Sequence, residues 1–322
     1  MNYEQFKSAV IRALQKDIPD PKVIDVRTIM KNNGVQLDGL IIREGGASSA
    51  PTIYLDGYYS RYRTGMAFHT LYAEILKTCR AYREGIPIDT GFLTDYAKAR
   101  DRVAYKLVHA GRNEALLEEV PHIPFLDLAV VFYCLMENAA CGDPATVLIY
   151  SSQVELWGIA PDTLYADAMR NTPRMLPQCV RDIREVLGQI DEDITHIAAA
   201  GNAGKDPAPA GEAADGGCPF TDEAGAFPIL VVSNQKNLFG AACILYEDLL
   251  AAIADRMRTD LIILPSSVHE VLILPSRDRS CYPMTHQIVK DVNSAALLPD
   301  EILSDHAYYY SRQTGRISIE SC

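Results

Sequence analysis

The sequence predicts an α+β protein built mainly from antiparallel sheets with packed helices, and three observations carry that expectation. Residues Ile229 to Pro275 read as an apolar strand, a polar break, an amphipathic helix and a pair of apolar strands. Val23 to Met30 and Val35 to Arg43 are extended runs joined by Lys31-Asn-Asn-Gly34, whose Asn and Gly tolerate the positive φ of a tight hairpin. Val147 to Gly158 and Ile229 to Gly240 share one pattern: aliphatic, Leu, two β-formers, Ser, any, Gln, any, any, Leu, aromatic, Gly. That pattern reads as a duplicated strand-turn-helix unit, although a strand followed by a turn produces similar strings, and two copies do not make a solenoid.

The elements follow from local chemistry. Asn2 and Gln5 have the spacing of a capping box, and Phe6, Val10, Ala13 and Leu14 form one helical stripe that Pro19 and Pro21 end. After the hairpin, Pro51 to Leu55 adds a third strand, and Tyr58, Tyr59 and Tyr62 lead to a helix over about Phe68 to Glu84. These tyrosines fit either a stacking platform or a half-buried sheet and helix boundary. Asp95 to Ala110 and Asn113 to Glu119 read as helix or strand followed by helix. Phe125 to Met136 is dense in β-branched and aromatic residues and reads as a central strand buried on both faces. Pro161 opens a helix expected to reach Asn171, and Val180, Ile183, Leu187 and Ile190 mark another. Leu245, Leu249, Ile253 and Met257 share a helical face, with Leu261 to Leu264 and Val268 to Leu274 as the strands beyond it and Pro265-Ser-Ser267 as their connection. Met284 to Ala296 suggests a helix, while His306 to Ser311 and Arg316 to Glu320 suggest a hairpin across Gln313-Thr-Gly315.

Composition divides this series. Residues 198–226 are mostly Gly, Ala, Pro and Asp, too poor in large apolar side chains to offset the entropy of ordering. The expected organisation is therefore an N-terminal α+β unit over 1–97, a repeat-bearing unit over 98–195, a flexible linker over 196–226 and a second repeat-bearing unit over 227–322.

The chain has 322 residues, 42 carboxylates against 30 Lys and Arg, and a formal charge of −12. That average field repels phosphate backbones and argues against direct nucleic-acid binding. The longest apolar runs fall far short of the roughly 20 residues that span a bilayer. The first residues show no basic and then apolar signal pattern, so a cytoplasmic location is expected. Eight cysteines without a C-x-x-C pair fit reduced thiols, and neither a metal site nor a cofactor is expected.

Chemistry-bearing motifs are sparse. The phosphate-binding glycine loops are absent, and His269-Glu270 lacks the second histidine of a zinc-protease helix. Paired acids such as Glu118-Glu119 and Glu247-Asp248 fit solvated helix faces. Ser266, Ser267 and His269 lie together at one turn, Glu270 follows as a candidate that also fits a solvent-facing strand position, and Asp305-His306 precedes a tyrosine run. A serine hydrolase could be assembled from Ser266 or Ser267, His269 or His306, and Asp305, because nucleophilic catalysis needs a hydroxyl, an imidazole and an orienting acid. No G-x-S-x-G elbow supports it, and polar residues at turns have backbone reasons to be there.

Five stretches together resemble a bacterial, Clostridia-type family of unknown function: Pro51 to Leu55, Val120 to Val131, Asn237 to Tyr246, Leu264 to Val271 and Leu303 to Tyr310. Leu156-Trp-Gly158 with the helix after it, and Leu126 to Val131, are more remotely similar to the uncharacterised YtpQ-like family. Neither resemblance implies a reaction or a catalytic residue. The expected role is a cytosolic, non-enzymatic protein-binding or regulatory module, with a serine hydrolase as the alternative.

Overall fold

The computed structural model describes residues 1–18, 23–43, 52–84, 90–136, 144–186, 188, 221–222, 225–226, 229–276, 282–295 and 297–319. It is an α+β protein, with two compact units: Met1–Ile123 with Ala129–Asn171, and Pro124–Leu128 with Thr172–Cys322.

In the first unit, helix α1 (Tyr3–Asp17) starts on a complete Asn2/Gln5 capping box and buries Phe6, Val10 and Leu14, residues spaced by one helical turn. It ends where Ile18 turns extended. Strands β1 (Val23–Met30) and β2 (Gln36–Arg43) pair antiparallel across a turn in which Asn33 and Gly34 take φ of 59° and 70°, as the Asn-Gly dipeptide requires. Strand β3 (Thr52–Tyr54) pairs with β2, giving the order β1-β2-β3. Helices α2 (Leu55–Arg63) and α3 (Phe68–Glu84) complete a core around Phe6, Leu40, Leu71 and Ile75. Tyr59 and Tyr62 lie half-buried, their ring centroids 5.5 and 5.6 Å from that of Phe6, so their faces are used inside the core.

A short helix, α4 (Tyr96–Ala99), precedes strand β4 (Val103–His109) and helix α5 (Glu114–Glu119). The long apolar run divides. Strand β5 (His122–Phe125) is separated by the turn Leu126-Asp127 from strand β6 (Leu128–Met136), and all nine residues of β6 are buried. The expected single strand over Phe125 to Met136 is thus interrupted at its only charged residue, which a fully buried strand could not carry. Strand β7 (Ala145–Leu148) pairs with β6. Helix α6 (Ser151–Trp157) ends on a left-handed Gly158. Helix α7 (Pro161–Met175) has proline in its first turn as expected, and continues past Asn171 through Pro173.

The second unit contains strand β8 (Gln178–Asp182), a two-residue ladder of β9 (Thr221–Asp222) with β10 (Gly225–Ala226), and β11 (Leu230–Asn234). Helix α8 (Leu249–Met257) leads to strands β12 (Asp260–Leu264) and β13 (Val271–Ser276). Helix α9 (Tyr282–Ala295) and the hairpin of β14 (Tyr308–Ser311) with β15 (Arg316–Ser318) follow. The six-stranded sheet has the order β15-β14-β12-β13-β11-β8, and each neighbouring pair of strands is antiparallel. Ile262, Leu264, Leu274, Val289, Ala307 and Tyr309 form a core that joins α9 to the sheet.

Two local expectations are corrected here. Val180, placed on a helix by its spacing, lies in β8, where pairing with Val232 of β11 outweighs periodicity; Leu187 and Ile190 lie outside the described residues. The two similar strings also diverge. Ser151 to Trp157 is helical, whereas Ser233 and Asn234 extend β11 and only Gly240–Leu245 coils, as a 3-10 helix. The Asn234 side chain explains the difference: its Oδ1 accepts from the amides of Lys236 and Leu238 and its Nδ2 donates to the Leu238 carbonyl, closing a turn that competes with helix. Residues 196–220 of the expected linker lie outside the described residues.

Candidate functional site

The turn after β12 distributes the residues expected there among backbone contacts. Ser267 is buried; its Oγ accepts from the His269 amide at 3.0 Å and its own amide donates to the Glu270 carbonyl at 3.1 Å. Ser266 and Glu270 are half-buried, and Glu270 precedes β13. His269 faces the opposite loop. Its Nδ1 lies 3.0 Å from the Asn237 carbonyl and 3.3 Å from the Phe239 amide, and its ring stacks on Phe239 at 5.7 Å. Asn237 and Phe239 both hold positive φ, and Ser233 Oγ donates to the His269 carbonyl at 2.7 Å. Gly240 is required in this knot, because a Cβ there would collide with Ser233 Oγ and the His269 carbonyl and sit 2.8 Å from the Asn234 amide.

His306 belongs to a different cluster, built around Asp127 of the β5–β6 turn. Leu126 before it has φ of 56°, uncommon for a branched side chain, and this conformation delivers the carboxylate to the start of β14. Asp127 Oδ2 accepts from Ser304 Oγ at 2.6 Å and lies 3.1 Å from His306 Nδ1, while Oδ1 accepts from the Tyr308 hydroxyl at 2.8 Å. Ser304 Oγ also accepts from the His306 amide at 2.9 Å. Helix α9 supplies the remaining walls. Asn293 donates to the Ser304 carbonyl and to Asp305 Oδ1, and His286 Nδ1 accepts from the Ala307 amide at 3.3 Å. The His286 and His306 rings meet edge to face at 5.5 Å. Burial holds the His286 imidazole below its usual pKa; His306 and Lys290 act in the same direction and Asp127 opposes them.

This arrangement contains two parts of a catalytic triad in the wrong order for serine attack. The carboxylate orients the imidazole through Nδ1, as a general base requires. The serine, however, gives its hydroxyl proton to the carboxylate, is fully buried, and is not bonded to His306 Nε2. Ser266 and Ser267 sit at the other turn, whose imidazole engages Asn237 and Phe239, and Asp305 engages Asn293. Among the described residues, no group of three His, Cys, Asp or Glu has the geometry of a metal site.

Sequence reasoning reached His306 and Asp305 and missed Asp127, Ser304, Tyr308, Asn293 and His286. A signal was present in the lone acid of an apolar run, at Asp127. Four of the five stretches noted above pair up in space: Val120 to Val131 meets Leu303 to Tyr310 at Asp127, and Asn237 to Tyr246 meets Leu264 to Val271 at His269. A family of unknown function, DUF5688, matches residues 3–312. The chain belongs to that family. No curated protein and no solved structure matches it.

One further feature of this DUF5688 protein is a sheet edge in the first unit. Strand β1 lies at the end of its sheet, and among the described residues only β2 pairs with it. Lys31 donates to the Val35 carbonyl, so the odd positions of β1 point their backbone groups at β2. The amides and carbonyls of Ile24, Val26, Thr28 and Met30 therefore point the other way. Val23 and Met30 are exposed by 47% and 61%.

Proposed function

We propose that this DUF5688 protein is a cytosolic, bacterial, non-enzymatic module that binds an extended segment of a partner protein along the free edge of β1. The observation that carries the reading is that edge: eight residues long, paired on one side among the described residues, and carrying exposed apolar side chains at both ends. A strand added there gains a row of main-chain hydrogen bonds, while apolar positions supply selectivity. The hydroxyls of Ser267 and Ser304 favour this over the hydrolase, since both are buried and spent on internal bonds. The formal charge of −12 favours a protein partner over a nucleic acid.

Thr28 gives a clean test. Thr28→Ala and Thr28→Pro both lose the hydroxyl contact to Asp38 at 3.0 Å, but only the proline also removes the outward amide. Panning a displayed peptide library should enrich extended peptides of alternating polarity that bind the wild type and the alanine variant and bind the proline variant at least tenfold more weakly. Equal binding to all three proteins, or fluorophosphonate labelling lost on Ser266→Ala or Ser267→Ala, would overturn the reading.

A further inference from the structure

Cys179 and Cys243 are brought to one point of the second unit's sheet from 64 positions apart in the chain. Cys179 on β8 lies opposite Ser233 on β11. Gln235 donates to the Pro177 carbonyl and Ile183 to the Ile229 carbonyl, so alternation makes Cys179 and Ser233 a hydrogen-bonded pair, with Cα atoms about 5.5 Å apart. Residues opposite one another in such a pair project to the same face. The Ser233 side chain marks that face, and Gly240 lies against it so closely that a Cβ would strike Ser233 Oγ. The 3-10 helix Gly240–Leu245 therefore covers the side of the sheet towards which Cys179 projects, and it carries Cys243. Cys243 Sγ donates to the Ser233 carbonyl at 3.2 Å. Both cysteines thus converge on one residue, Ser233.

We propose that Cys179 and Cys243 are a peroxide-responsive dithiol, which closes to a disulfide and fastens edge strand β8 to the 3-10 helix. Cys179 is half-buried and Cys243 fully buried. Burial, with Cys179 adding to it against the Tyr246 contact, pushes the Cys243 thiol up to about 12, so it stays protonated and the first oxidation falls on Cys179. There a hydroperoxide loses its O–O bond as an S–O bond forms, leaving a sulfenic acid and releasing water or an alcohol. Cys243 sulfur then attacks that sulfur: the S–S bond forms, the S–O bond breaks, and water leaves with the Cys243 proton. Two thiols and one peroxide give one disulfide, so electrons and atoms balance.

The test uses the reduced full chain and equimolar hydrogen peroxide, followed by alkylation and mass spectrometry of a non-reduced digest. The expected product is a Cys179–Cys243 linked peptide pair, cleaved by dithiothreitol. In Cys179→Ser, which alters a half-buried edge position, Cys243 should remain fully alkylable after denaturation, and circular dichroism checks that the variant is folded. Recovery of Cys179 as sulfinic acid, as a link to another cysteine, or unreacted while Cys243 stays alkylable would overturn the proposal.

Discussion

Asp127 illustrates how one carboxylate can organise a neighbourhood. Its two oxygens take two hydroxyls and an imidazole, drawing three side chains to one point. Asp127→Ala removes the carboxylate from all three contacts and should lower the unfolding free energy by about 3 kcal/mol, measured by urea denaturation. A loss under about 0.5 kcal/mol, within the range of ordinary surface changes, would show that the cluster is incidental. His286 gives a pH signature. Its folded pKa lies below the unfolded value of about 6.5, so the unfolded chain binds more protons in that window. The stability tied to a neutral His286 is complete above pH 6.5 and falls as the pH drops through the folded pKa. His286→Gln keeps an acceptor for the Ala307 amide and should flatten the loss of stability between pH 7.5 and 5.5; an unchanged slope would contradict this. Legibility at this scale was partial. His306 and Asp305 could be read as polar letters beside a strand, but Asp127 lies 179 positions from His306, and no local pattern links them.

At the scale of elements, sequence was most informative where one local rule dominated. The capping box of α1, the Asn-Gly turn between β1 and β2, and the first-turn proline of α7 each set backbone geometry within a few residues. It was least informative where pairing decided. Val180 sits on a plausible helical stripe, yet β8 forms because β11 offers it a partner. The duplicated string failed for a related reason, since Asn234 closes a local turn at the position where the earlier copy continues as helix. The edge of β1 follows from the same logic of pairing. A proline at Thr28 should leave the odd-numbered ladder to β2 intact, so its thermal midpoint should match that of Thr28→Ala while partner binding is lost. A midpoint several degrees lower would mean that the amide serves the fold.

For the whole molecule, the α+β class and the family membership are established, and the chain divides into two compact units. Among the described residues, no helix is long and apolar enough to cross a membrane. In the first unit β1 pairs only with β2 among the described residues, while the second unit uses His269, His306, Ser267, Ser304 and Cys243 in contacts that hold loops and helices to the sheet. Composition could suggest a packed acidic protein, but which edge remains open depends on the order of strands, a property that emerges only when every pairing is known. Amide hydrogen exchange on β1, with and without a peptide selected by panning, probes the central claim most directly. Binding by strand addition predicts new protection at Ile24, Val26, Thr28 and Met30, with the odd-numbered amides unchanged. Protection confined to any other element, or none on β1 at a saturating peptide concentration, would contradict it.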